Sequence, residues 1–224
     1  MPVQSLYFGA ERQPLLLVDD FLPQPQQWLD AALQQQNVMP ASGLYPGLRA
    51  AAPRAIGERL LSRYEAEIST LFNCQIRDLQ QIDSFYSLVC TPATELSLLQ
   101  SLPHVDRPDP AQLAAVLYLC DTKHGGTSFY RHRSTGYEML TSQRLPDYQR
   151  SLDADLQRHG QPQGYIAGDT LLFERILQVP VRFNRLILYR CSSLHSGDIP
   201  NQQAFDLNPR TGRFTATLFF SAQP

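Results

Sequence analysis

No stretch of the 224 residues reaches the 18 or so consecutive apolar positions of a spanning helix, so none is expected. The opening, MPVQSLYFGAERQ, has no basic segment leading into an apolar one, and no secretory signal is expected. Cysteine is sparse: Cys74, Cys90, Cys120 and Cys191 are widely spaced, form no CxxC pair and sit among apolar neighbours. That pattern argues against a zinc ribbon or disulfide scaffold and for buried free thiols. Basic surplus is missing too. The formal net charge is -2, which gives no basis for wholesale nucleic-acid binding. Repeats and low-complexity tracts are absent. These absences lead to the expectation of a protein of the reducing cytoplasm.

What remains is globular in composition, 43% hydrophobic and 18% charged, and the length suits one domain with elaborations. The run LLLV at 15–18 has strand length. Trp28, Leu29, Ala32 and Leu33 then recur at helical spacing behind a proline-containing first turn. A second helix is predicted over 55–73, from Ile56, Leu60, Leu61, Tyr64, Ile68 and Leu71. Beyond residue 75 the period changes to that of strands. IDSFYSLVC, LAAVLYLC, GTSFYRH, DTLLFER, FNRLILYRC and GRFTATLFFSA are short β-branched or aromatic runs punctuated by Gly, Pro, Asp and Asn. Helices followed by many strands predict a mainly β barrel or jelly roll with helices outside it. The expected division is a helical support over about 1–75 and a β core over about 76–224. An insert over about 133–165, partly helical, is expected near the open end of the barrel as a lid or substrate-facing arm.

Chemistry enters at LPHVDRPDP, residues 102–110. His104 and Asp106 are two apart, so in an extended segment both side chains point the same way. Alone, His-x-Asp is a weak signal, and a hydrated loop is its plain alternative. Downstream, in order, come the Gly-Gly turn of KHGGTSFYRH, His195 at the end of an apolar strand, and Arg213 at the mouth of the last strand. Two imidazoles and one carboxylate on one face, with open positions left, suit a mononuclear Fe(II) centre. A buried Arg needs a partner, and a carboxylate matches it bidentately.

In this ordered set the sequence resembles the 2-oxoglutarate/Fe(II)-dependent dioxygenases, most nearly their prolyl-hydroxylase-like branch. LLVDDFLP followed by a helix, and AVLYLC followed by GGTSF, add to the likeness, which runs from about residue 14 to 221. The resemblance implies a double-stranded β-helix, the cupin-like jelly-roll barrel. It implies iron held by His104, Asp106 and His195, and 2-oxoglutarate held by Arg213 with Thr215. Decarboxylation of that co-substrate with O2, coupled to hydroxylation of a small-molecule or peptide substrate, is the implied reaction. Arg213 lies further past the second His than the family pattern has it, so Arg210 competes for the role. The alternation of RFTATLFF favours Arg213. Tyr86 is a further candidate for the co-substrate.

Other residues read more plainly. His124 and His132 are expected as solvated loop histidines. Arg131 and Arg133 are expected at a solvated rim or on an anionic substrate, and Asp198 as a possible orienting partner of His195. Asp169 and Glu174 read as turn and strand-edge charges. Two rival classes stay open: a non-catalytic cupin-like binding module, and a zinc hydrolase, which would have no use for Arg213.

Overall fold

Leu15, Leu16, Leu17 and Val18 are all buried, because the strand that carries them is covered on both faces. In the computed structural model, which describes residues 3–34, 38–41, 43–202 and 206–222, that strand is β2 (Gln13–Val18). The other described strands are β1 (Val3–Phe8), β3 (Met39–Pro40), β4 (Gly47–Ala51), β5 (Leu79–Val89), β6 (Leu113–Tyr118), β7 (Thr127–His132), β8 (Phe173–Val179), β9 (Leu186–Arg190), β10 (His195–Gly197) and β11 (Phe214–Ala222). The described helices are α1 (Pro25–Leu33), α2 (Ala55–Arg63), α3 (Glu65–Phe72) and α4 (Leu145–His159). An eight-stranded antiparallel sheet runs β1-β2-β9-β6-β11-β5-β4-β3, and a smaller one runs β10-β7-β8.

Strand alternation sorts the side chains into layers. From the large sheet, Leu16, Val18, Leu186, Leu188, Phe214, Ala216, Leu218 and Phe220 join Leu29, Ile56, Leu60, Ile68 and Phe72 of the helices in one cluster. From its other face, Leu15, Leu17, Tyr118, Ile187 and Tyr189 meet Phe129 and Val179 of the small sheet. Behind the small sheet, Tyr130 and Phe173 pack on Tyr148 and Leu152 of α4. The order is therefore helices, large sheet, small sheet, helix.

Several expectations change. The helix predicted over 55–73 is two helices, broken at Tyr64 (φ -120°, ψ 30°). β1 was not anticipated, because VQSLYF lies half-exposed on an edge. Part of the turn between His195 and Arg213, residues 203–205, lies outside the described residues. The helix of the 133–165 insert is fastened to the outer face of the small sheet, and of the whole insert Tyr165 alone lines the cavity that lies between the two sheets. The Gly-Gly turn does have a backbone reason. Gly125 has φ +70°, and a Cβ there would sit 1.7 Å from the Asp198 carbonyl oxygen. One on Gly126 would sit 1.8 Å from that of Val179.

Candidate active site

His104 and His195 face each other across an isolated antiparallel bridge, and each backbone N–H donates to the other's carbonyl at 2.9 Å. The His104–Asp106 segment thereby extends the β10 edge of the small sheet. The Asp106 N–H, bonded to the Cys191 carbonyl at 2.9 Å, holds the next residues in place. The expected i, i+2 geometry is realised: ligand atoms of His104, Asp106 and His195 lie within 4.8 Å of one another. Asp106 Oδ1 is 3.9 Å from His104 Nε2, and its Oδ2 is 3.6 Å from His195 Nε2. Ligands at about 2.0–2.2 Å from a shared ion would be at most roughly 4.4 Å apart, so the gap fits an ion better than a direct hydrogen bond.

The donor set itself fits a divalent metal. Asp106 Oδ2 is buried with no hydrogen-bond partner. His195 Nδ1 donates to the Ser193 carbonyl at 2.9 Å, which turns Nε2 to the cluster, 3.0 Å from the Tyr189 hydroxyl; in the neutral ring that nitrogen accepts from the hydroxyl and is free to ligate. Burial, helped by His195 and Arg49, pushes His104 down to about 3, so its imidazole is neutral and able to ligate. Burial pushes Asp106 up, opposed by His195, Arg49 and Arg107.

The three residues sit in the wall of a cavity of about 400 Å³ between the sheets, which Arg213 and Thr215 also line. Cross-strand register explains who faces it. Arg49, Ser87, Thr215 and Tyr118 form one row across β4, β5, β11 and β6, and Phe85, Thr217 and Val116 form another on the same face. Arg213, just ahead of β11, is 5% exposed. It donates from one terminal nitrogen to the Gly126 carbonyl at 2.9 Å, and its Nε has no partner. Among the described residues no carboxylate pairs with it. A buried guanidinium in that condition is suited to an incoming carboxylate.

Not every expected residue arrives. Tyr86 pairs with Ala216, on the opposite face. It stacks on Phe214 with ring centres 5.3 Å apart in the helix-side cluster, away from the cavity. The aromatic hydroxyl beside Thr215 is Tyr45, which the sequence left in a Pro/Gly-rich loop. Arg210 is remote, its guanidinium 2.6 Å from Asp30. Asp198 accepts from Gln178 and neighbours Arg175; Ser193 and Tyr189 orient His195 instead. His132 and His124 are buried, not solvated. His132 Nε2 stands 3.2 Å from Asp155 of α4, and His124 Nε2 is 2.8 Å from the Thr211 carbonyl. Arg131 is spent on Glu138 and Glu174, and Arg133 on Thr170 and Asp169, so neither waits for a substrate. The cysteines are free, and burial pushes the Cys120 thiol up to about 11. No described helix is long and apolar enough to cross a membrane.

A profile described as "Family of unknown function (DUF6445)" matches residues 1–220. No curated protein matches. Among solved structures, the chain is similar to the epimerase SnoN from nogalamycin biosynthesis, in complex with Fe3+, alpha ketoglutarate and nogalamycin RO. The TM-score is 0.56 at 16% identity, over 95% of this chain and 80% of that one. It is also similar to HygX from Streptomyces hygroscopicus with nickel and 2-oxoglutarate bound, with TM-score 0.52 at 12% identity, over 95% and 84%. HygX with hygromycin B bound as well gives 0.51 at 13% identity, over the same shares. At these identities the likeness is one of fold.

Proposed function

The chain belongs to the DUF6445 family of unknown function, and we propose that it is an Fe(II)- and 2-oxoglutarate-dependent oxygenase acting on a small molecule. One observation carries the reading: the His104/Asp106/His195 cluster and a buried Arg213 without a carboxylate partner open into the same cavity. A metal module without turnover has no need of that Arg, and neither has a zinc hydrolase. The two antiparallel sheets facing each other over the site support a double-stranded β-helix. The strand-turn-helix opening and the Gly-Gly turn support the prolyl-hydroxylase-like branch, and the free thiols support a reducing compartment.

His104, Asp106 and His195 would hold the metal, with the Ser193 carbonyl fixing the His195 ring. Arg213 would hold the distal carboxylate of 2-oxoglutarate, with the Thr215 and Tyr45 hydroxyls beside it. When bound, the metal supplies oxidising chemistry in which O2 and 2-oxoglutarate give succinate, CO2 and one oxygen atom for the substrate. The protein's part is to fix ligand geometry, neutralise the co-substrate and wall the reaction off from bulk water. Hydroxylation of a C–H bond is the reaction we assign. The test is succinate formation from 2-oxoglutarate under air. It should require Fe(II) and should be abolished by His104→Ala or His195→Ala. Succinate formation that is absent in the wild type, or unchanged in both variants, would contradict the reading.

A further inference from the structure

Arg49 lines the cavity but has no part in the proposed metal or co-substrate site. It comes from β4, and its register with Ser87 and Thr215 puts it on the cavity face. Its guanidinium lies over the ring of Tyr45 at 4.5 Å and over that of Phe85 at 4.9 Å. Two rings hold the plane of the fork and leave its edge free. That edge is unused: Nε is buried without a partner, and no described residue accepts a hydrogen bond or forms an ion pair with this Arg. Asp106 and Asp83 are close enough to feel it electrostatically, yet neither pairs with it.

Charge balance points the same way. With the proposed metal and co-substrate in place, the divalent ion, Asp106, Arg213 and the two carboxylates of 2-oxoglutarate cancel, the imidazoles being neutral. Arg49, Arg107 and Asp83 then leave the lining with one positive charge in excess, Arg107 and Asp83 being exposed. An uncompensated charge with an unpaired N–H is costly unless something enters to meet it. Phe85, Val116, Phe219 and Leu44 give the same space an apolar side, with Thr215, Thr217 and Asp83 among the polar residues that share the lining.

We infer that Arg49, held against the rings of Tyr45 and Phe85, recognises a carboxylate on the substrate, and that the substrate class is a small organic acid with an apolar or aromatic body. The inference rests on the oxygenase reading, which places 2-oxoglutarate on Arg213. Because 2-oxoglutarate is itself a carboxylate, the test must separate the two guests.

The probes are 3-phenylpropanoate and its uncharged counterpart 3-phenylpropan-1-ol. Binding is followed by saturation-transfer NMR on protein loaded with 2-oxoglutarate and Zn(II), a diamagnetic stand-in for iron. The acid should bind the wild type roughly tenfold or more tightly than the alcohol. In Arg49→Gln the two should bind alike, and Arg49→Lys should recover only part of the preference, since it restores charge without the stacked fork. The inference is overturned if the wild type shows no preference for the acid or if Arg49→Gln keeps it. It is overturned too if Arg49→Gln weakens 2-oxoglutarate binding as much as Arg213→Ala does, because Arg49 then serves the co-substrate. If neither Zn(II) nor 2-oxoglutarate binds the wild type, the oxygenase reading fails separately. The two probes are then compared on the metal-free protein. There, an acid preference lost in Arg49→Gln supports the carboxylate site, and its absence or its persistence in the variant overturns it.

Discussion

His104 and His195 are joined by two reciprocal backbone hydrogen bonds of 2.9 Å, with their imidazole rings 4.6 Å apart. The ladder between the two strands thus sets the spacing of the nitrogen ligands before any ion arrives. Asp106 joins them from the same segment, with one buried oxygen unpartnered.

That orphan oxygen makes Asp106 a stability liability in the metal-free protein. Asp106→Ala should leave the metal-free melting temperature equal or higher while abolishing the response to Ni(II). In the wild type, Ni(II) at a hundredfold excess over its Kd should add ~2.7 kcal/mol. Calorimetric melting with and without Ni(II) checks both halves. A metal-free Asp106→Ala protein that melts well below wild type would mean the carboxylate is structural.

Tyr189 donates to the same His195 nitrogen that a metal would take. Tyr189→Phe keeps the ring in its buried seat and removes only the competitor. Metal affinity should be unchanged or higher, and metal-free stability should fall by about 1 kcal/mol. A tenfold loss of metal affinity, measured by competition with a chromophoric chelator, would show that the hydroxyl supports ligation.

The His104/Asp106/His195 cluster was legible in the sequence because two of its members obey the period of an extended strand and the third follows an apolar one. Arg213 was legible for a similar reason: Arg213, Thr215, Thr217 and Phe219 alternate with Phe214, Ala216, Leu218 and Phe220. Alternation fixes which residues share a face, and it does not say which face meets the cavity. Tyr86 was assigned to the co-substrate on that missing information, and the register with Ala216 puts it on the helix side. Tyr45 and Arg49 were missed altogether, since PASGLYPGLR carries no period to read. His132 and Asp155 are far apart in sequence, and only the docking of α4 brings them to 3.2 Å.

The same docking gives α4 a structural role. Leu152→Ala, which opens a hole between α4 and Phe173, should cost about 2–5 kcal/mol in urea unfolding. Deleting 144–160 should leave the small sheet's outer face bare and yield protein that does not fold. Recovery of a soluble, cooperatively melting deletion protein would instead support a detachable lid.

Asp19 offers a pH-dependent test away from the site. Arg185, by its hydrogen bonds, and then Arg182 hold its carboxyl below the usual 3.8; the distances are 2.7 Å to Arg185 Nε and 2.9 Å to Arg182. A depressed folded value means stability that is complete above 3.8 and lost as pH falls through the lower folded value. Asp19→Asn should therefore cost about 3 kcal/mol at pH 7, and the difference from wild type should shrink below pH 3.8. Urea unfolding of both proteins across that range checks it; a gap that widens on acidification contradicts the pairing.

The most direct measurement is an anaerobic titration with Fe(II) and then 2-oxoglutarate, watched for the weak visible charge-transfer band of a co-substrate bound at a ferrous centre. The expected result is a band that saturates in the wild type. Arg213→Ala should need more than about a hundredfold more 2-oxoglutarate, since a buried charge partner is worth ~3 kcal/mol, while Arg210→Ala should behave as wild type. A wild type that gives no band, or a band lost in Arg210→Ala and kept in Arg213→Ala, contradicts the assignment.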